Sequence, residues 1–439
     1  MGLIIKESNS LKERMNKVSP HYTQTFSRSP TSFVEGVYPV FAEKSSGAYF
    51  TDVDGNNFLD YLLGLGPITL GYNYPVVNQA VSKQLNDGML FSLPHRKELE
   101  LSEFLCKVIP NSEMVKFEKS GSNAVTGALR AARAITGKDK VAYCGSGGVW
   151  HDWYASAISR DGGVPKFNDD LIKIFDYNDI DGLETIFEEN KNEIGSIVFE
   201  PTVYEKPNTE FLQKIRKISD SNNSILILDE IVTGFRFDLG GAQKYFNLKG
   251  DFVCFGKGMG NGLPISAITG KEEHMKIFDK LWVSTTNGSE TLSLAGTIAT
   301  ITEMQNNQTI SHCWKMGSKL FDGWNSIAKQ YGVNAMMTGY PIRMTMECKN
   351  SENNESLPLK GLILQEMVKR GIFMAQGPTF ISYSHKNEEI EKTLSKWENV
   401  CSYIQKTVKD DNFTELLEGN LPQLVYTHKI LPTKKANKT

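Results

Sequence analysis

The sequence predicts an α/β protein: a large domain built on a mostly parallel, doubly wound sheet, joined to a smaller α+β domain. Three observations carry this. Between residues 110 and 270, short apolar runs alternate with helix-length amphipathic segments. Two of the runs, Ile225–Leu228 and Phe252–Phe255, are continuously apolar, as strands covered on both faces must be. Each then stops on polar or flexible residues, Asp229-Glu230 and Gly256-Lys257-Gly258. Those stops fall at the carboxyl ends of strands, where open α/β sheets bind ligands.

Along the chain, residues 1–63 read as an N-terminal arm followed by a hairpin, part of the small domain. The hairpin is marked by alternating residues around Asp54-Gly55-Asn56. A loop rich in glycine and proline follows from Gly64, and Pro75 is placed to start a helix. Residues 64–308 form the predicted large domain. In it, the strand Val115–Glu118 feeds the loop Lys119-Ser-Gly-Ser-Asn123, and a helix is expected over Ala124–Thr136. Further strands are expected at Lys140–Cys144 and Ile194–Phe199, with helices over 180–191 and 209–222. The stretch 160–180 is rich in turn residues, and 284–289 is a polar loop opening a long helix. Residues 309–410 read as the C-terminal small domain, and 411–439 as a polar, partly disordered tail ending in Lys434, Lys435 and Lys438.

Composition narrows the functional classes. A formal net charge of −3 gives no basic surface for nucleic acid. No run approaches the ~20 apolar residues a spanning helix needs. Six scattered cysteines without a CxxC pair suit free thiols in a reducing, cytoplasmic setting rather than disulfides or a metal site.

Lys257 is the residue from which the chemistry is read. Most lysines are surface groups, but this one follows a buried-type strand and is flanked by glycines. Desolvation there lowers an amine's pKa and makes it nucleophilic toward an aldehyde. A nucleotide phosphate loop fails on spacing, because Asp251 and Gly258 stand where glycine and serine or threonine are required. Asp229 has two readings: a structural acid at a strand end, or the carboxylate that keeps a pyridine cofactor's ring nitrogen protonated. Ser120, Gly121, Ser122 and Asn123 form a candidate phosphate cup at a helix N-terminus. Trp150 is either a core residue or a platform for a flat ring, and His151 is open in the same way.

Taken together these stretches resemble the class III (ornithine-type) aminotransferases, and within them the aminomutase-like branch. The resemblance rests on Asp229-Glu-Ile-Val-Thr-Gly-Phe-Arg236, Leu239-Gly-Gly-Ala-Gln243, Gly256-Lys257, Gly262-Leu-Pro264, Gly66-Pro67, Tyr177-Asn-Asp179 and Glu200-Pro201. It implies PLP fold type I, the aspartate-aminotransferase-like architecture. It also implies pyridoxal 5'-phosphate held by Lys257 as a Schiff base, with Asp229 on the ring nitrogen. Ser120, Gly121 and Ser122 match the family's phosphate loop, and Trp150-His151 its aromatic-histidine pair. Glu200 falls among its cofactor-binding positions. Thr285 matches the threonine that reaches the neighbouring subunit's phosphate, which implies a homodimer with shared active sites.

The chain departs from the family at Gly288-Ser-Glu290, Val203-Tyr-Glu-Lys206, Leu65 and Gly377-Pro-Thr-Phe-Ile-Ser382. Those regions face the substrate, so the resemblance implies the same cofactor with a different substrate. The expected reaction moves an amino group from an amino-acid donor such as glutamate to an aldehyde or ketone, with a sugar-type carbonyl in polysaccharide biosynthesis as the acceptor. The alternatives are a glutamate-1-semialdehyde 2,1-aminomutase and a non-catalytic binding module on the same fold. Arg28, Arg236 and Arg343 are the candidates for a substrate carboxylate.

Overall fold

The structure is a computed structural model that describes residues 3–145, 147–208, 210–407 and 411–425. Contacts divide it into two compact units, Met1–Pro75 with Glu303–Val425, and one built on Val76–Thr302. The first unit opens with strands β1 (Ala42–Ser46), β2 (Tyr49–Asp52) and β3 (Asn57–Asp60). The second contains β4 (Met114–Glu118), β5 (Lys140–Cys144), β6 (Ile172–Ile174), β7 (Ile194–Phe199), β8 (Ile225–Glu230), β9 (Phe252–Phe255) and β10 (Ser266–Gly270). The chain then completes the first unit with β11 (Ala335–Tyr340), β12 (Arg343–Cys348), β13 (Ile372–Phe373) and β14 (Thr379–Phe380).

The larger unit is organised on a seven-stranded sheet in the order β4-β10-β9-β8-β7-β5-β6. Neighbours from β9 through β6 pair in parallel, and β10 runs antiparallel to both β4 and β9. The helix Gly121–Thr136 covers one face, packing Ala124, Val125, Ala128, Leu129 and Ala132 into a core with Ile227, Cys254 and Ile268. Alanine and glycine let this helix come close to the sheet. A Cβ at Gly127 would stand 2.9 Å from the Ile268 side chain. Burial on both faces explains why Ile225–Leu228 of β8 and all of β9 read as unbroken apolar runs.

Two strands of this sheet were not anticipated. β6 is three residues long at the sheet edge, inside the segment read as turns. β10, Ser-Ala-Ile-Thr-Gly, carries small and polar residues yet is buried throughout. The helix expected from Ala124 begins at Gly121, because Ser120 caps it. Cup residues Gly121, Ser122 and Asn123 are therefore its first turn.

In the first unit the predicted hairpin forms with Phe50 opposite Phe58, and β13 adds to β3 in parallel. Phe33, Tyr38, Phe50, Phe58 and Phe373 pack there as one aromatic cluster. β11, β12 and β14 make a three-stranded antiparallel sheet. The helices Thr309–Tyr331 and Asn387–Thr407 are joined by stacked Trp324 and Trp397, with ring centroids 3.9 Å apart. The early part of the expected tail is packed: Phe413 is buried and Gln365 donates to the Leu416 carbonyl. The expected disorder at the lysine-rich end lies outside the described residues. No helix among the described residues is long and apolar enough to cross a membrane.

Candidate active site

The register of β8 and β9 places Asp229 opposite Cys254 and Glu230 opposite Phe255. Lys257 follows two residues beyond Phe255, so the acid and the amine emerge from neighbouring parallel strands at the same, carboxyl, edge. Both residues are half-buried. Lys257 has φ of +40°, a left-handed conformation that costs a side-chain-bearing residue on the order of 1 kcal/mol or more. Such strain concentrates where a side chain must be aimed. The turn continues as the short helix Lys257–Gly260.

Asp229 and Glu230 are adjacent acids with opposite fates. Strand alternation sends their side chains to different faces. The Asp229 carboxylate accepts the N–H of Ile231 at 3.1 Å. Glu230 is fully buried and ties down the loop that follows β8. It accepts from the Thr233 hydroxyl, from the Ala242 N–H at 2.9 Å and from the Gln243 N–H at 2.6 Å. Burial pushes its carboxyl up to about 7, against those donors. It is a structural acid, neither solvated nor pointed into the site.

The cup is built by the start of the Gly121–Thr136 helix. The Ser120 side chain accepts the Asn123 N–H at 3.2 Å and bonds the Asn123 amide oxygen. The Ser120 carbonyl accepts from the Ser266 hydroxyl of β10 at 2.7 Å, which fixes the cup to the sheet. The first helical turn presents backbone N–H groups and the positive end of the dipole, the donor set a phosphate requires. Ile231 stands behind it: a Cβ at Gly121 would meet three of its side-chain atoms at 2.9–3.0 Å, and one at Gly256 would meet its Cδ1 at 3.2 Å. One isoleucine thus spans the space between the cup and the Lys257 segment. The sequence reading missed Ile231, although glycine on both sides of it was the available signal.

Trp150 and His151 separate into two roles. Trp150 is 72% exposed and touches His151 edge-on at 4.4 Å between ring centroids, so its face is open to a flat ligand. His151 Nδ1 and Trp153 Nε1 share the hydroxyl of Thr126, at 2.6 and 2.8 Å. The buried core tryptophan is Trp153. Burial lowers the His151 pKa. Ser122 is buried and donates to the Gly148 carbonyl at 3.3 Å, which links the cup to the loop that carries Trp150. Glu200 is buried at the end of β7, with β10, β9 and β8 between that strand and β4 in the sheet order. Thr285 is exposed and donates to the Glu118 carboxylate at 3.2 Å. Of the three candidate arginines, Arg236 and Arg343 are buried, and Arg28 is exposed.

A half-buried acid and an amine emerge from adjacent strand ends, beside the N-terminus of the Gly121–Thr136 helix, on a fold of PLP type I. The residues fit the cofactor through the chemistry of the donors: an amine for the aldehyde, a carboxylate for the ring nitrogen and backbone N–H groups for the phosphate. The chain belongs to the class III aminotransferase family, whose model matches residues 32–399. It is therefore a pyridoxal-phosphate-dependent enzyme of amino-group transfer. It is 33% identical to a glutamate-1-semialdehyde 2,1-aminomutase of Alkaliphilus oremlandii, over 92% of this chain and 100% of that one. It is also 33% identical to a 3-aminobutyryl-CoA aminotransferase of Cloacimonas acidaminovorans, over 86% and 93%. The fold matches the FumI protein of Sphingopyxis sp. MTA144, solved as its PLP internal aldimine form. That match has a TM-score of 0.83 at 21% identity, over 92% of this chain and 98% of that one.

Proposed function

We propose that this protein transfers an amino group from an amino-acid donor, such as glutamate, to an aldehyde or ketone of sugar type, with Lys257 and Asp229 as its catalytic residues. The observation that carries the catalytic reading is the pairing of Asp229 and Lys257 on the adjacent ends of β8 and β9. Bound pyridoxal phosphate supplies an electron sink for the pair left on the substrate's amino-bearing carbon. Lys257 would hold the cofactor's aldehyde carbon and, as a free amine, would move the proton at the substrate's amino-bearing carbon. Asp229 holds the proton on the ring nitrogen. Ser120, Gly121 and Ser122 bind the phosphate, Trp150 covers the ring, and His151 and Glu200 support that side of the site.

The sugar-type acceptor rests on the departures at 203–206, 288–290 and 377–382. An intramolecular reaction is the second reading, favoured by the full-length match to an aminomutase. The two differ in one measurement: a net transaminase converts the protein-bound cofactor to its amine form with a donor alone and needs a separate acceptor to return it.

We assign a homodimer with Thr285 directed to the partner's phosphate. An exposed apolar run supports it: Leu85, Met89, Leu90, Phe91 and Leu93 are 44–78% exposed, and Trp282 is 85% exposed. A cytoplasmic location suits the six free thiols.

Lys257→Ala tests the core of the proposal. The variant is expected to lose the visible absorbance of the covalently held cofactor and all turnover while remaining folded. Retention of both colour and turnover refutes the assignment.

A further inference from the structure

One ion pair next to the cup has no place in the functional reading above. Glu290 stands where this chain departs from its family, immediately before the helix Thr291–Asn306. Its carboxylate caps that helix, accepting from the Leu292 N–H at 2.5 Å, the Ser293 N–H at 3.3 Å and the Ser293 hydroxyl at 2.7 Å. A fourth donor comes from elsewhere in the sequence: Lys119 Nζ, at 3.1 Å. Lys119 is the residue directly before Ser120, the cap of the cup helix. Both side chains are about four-fifths buried, at 20% and 17% exposure. Burial alone would raise the Glu290 carboxyl. The donors from Ser293, Lys119 and Leu292 outweigh it and hold the group below the usual carboxylate range.

A second link runs parallel to the first. Thr285 donates to Glu118, the residue before Lys119. Gly288 sits close enough to the same strand that a Cβ there would lie 3.0 Å from Thr285 Oγ1 and 3.5 Å from the Phe117 carbonyl. The loop 285–290 is therefore attached at one end to Glu118, the last residue of β4, and at the other to Lys119, the residue after it. The opposite side of the cup is fixed by Ser266. The cup is thus held from two sides, by the sheet through Ser120's carbonyl and by a second helix through Lys119.

We propose that Lys119 and Glu290 are positioning residues for the phosphate cup, clamping the Lys119-Ser120 segment that follows β4 to the N-terminus of the Thr291–Asn306 helix so that the cup binds its phosphate preorganised. This rests on the cofactor assignment above. The physical ground is that N–H donors work on an anion only when aligned to within ~0.5 Å, and a site gains affinity when that alignment precedes binding. Neither side chain need touch the phosphate. The Lys119 charge is already neutralised by Glu290.

The test is a double-mutant cycle on the full chain, with pyridoxal phosphate titrated into the apoprotein and binding followed by absorbance. The thermal melt of the apoprotein is recorded in parallel. Lys119→Met leaves Glu290 its three helix-capping donors, so the apoprotein melt is expected to stay near that of the parent. Cofactor affinity is expected to fall about tenfold, the loss of ~1.4 kcal/mol of preorganisation. Glu290→Gln, which keeps an acceptor for the helix cap, is expected to weaken binding similarly. The double variant is expected to be no worse than either single one, and Lys119→Arg to restore most of the affinity.

Three results overturn the proposal: parental affinity in Lys119→Met, additive losses in the double variant, or tighter binding in Glu290→Gln. The last would mean that Lys119 acts directly on the phosphate by its charge. Failure of the underlying cofactor assignment shows itself separately, as a parent protein that does not take up pyridoxal phosphate.

Discussion

Replacing Gly121 with alanine puts a methyl carbon 2.9 Å from Ile231 Cγ2 and 3.0 Å from both its Cγ1 and Cδ1. Because all three contacts are to one β-branched side chain, no single rotation of a terminal group relieves them. Ile231 cannot retreat freely, since its Cδ1 also lies close behind Gly256, next to Lys257. Overpacking of this kind costs ~1–3 kcal/mol, and alanine's better helix propensity than glycine returns less than ~1 kcal/mol at a first-turn position. The net loss is about 2 kcal/mol. For a unit of 150–250 residues, that lowers the melting temperature by roughly 4–8 °C. The same displacement moves the cup's N–H groups, so cofactor affinity is expected to fall together with stability. Thermal melts of the apoprotein and absorbance titrations with pyridoxal phosphate read both effects. Adding Ile231→Ala removes all three clashing atoms and is expected to recover stability and affinity relative to Gly121→Ala alone. Parental melting and affinity in Gly121→Ala would refute the packing argument. So would a double variant that loses the sum of the two single losses.

Two further outcomes follow from the neighbouring acids. Asp229→Asn is expected to bind cofactor with altered absorbance but to slow proton removal by orders of magnitude, measured as single-turnover loss of substrate α-deuterium; near-parental rates would remove Asp229 from the chemistry. Glu230 has a folded-state pKa raised to about 7 from 4.5, so between those values the folded protein holds a proton that the unfolded chain does not. Its contribution to stability is therefore fully present below about pH 4.5 and is lost as pH rises through about 7. Denaturant unfolding at several pH values is expected to show the parent losing stability relative to Glu230→Gln across that window, whereas a difference independent of pH would contradict the assignment of that proton to Glu230.

Much of the site was legible because its signals are local. The continuous apolar runs of β8 and β9 follow from burial on both sheet faces, and their abrupt ends mark the edge where Asp229 and Lys257 emerge. The Lys119–Asn123 loop announced a helix N-terminus. Its start was misplaced by three residues because glycine and serine are poor helix formers, and the Ser120 cap overrides that propensity. β6 and β10 were illegible for a different reason. A three-residue strand and a run of small residues acquire their pairing only from neighbours far away in the chain.

By itself, then, the sequence determined the parallel-sheet core and the hairpin, and it set Asp229, Lys257 and the Ser120–Asn123 loop just beyond strand ends, since each of these is encoded in a short local run. The tertiary structure decided between chemically equivalent neighbours. It made Glu230 structural and kept Asp229 half-buried at the strand end, and it buried Trp153 while exposing the face of Trp150. It also brought Lys119 to Glu290 across 171 residues and set Ile231 behind both glycines. Burial and long-range contact depend on which elements pack together, and no local pattern carries that information.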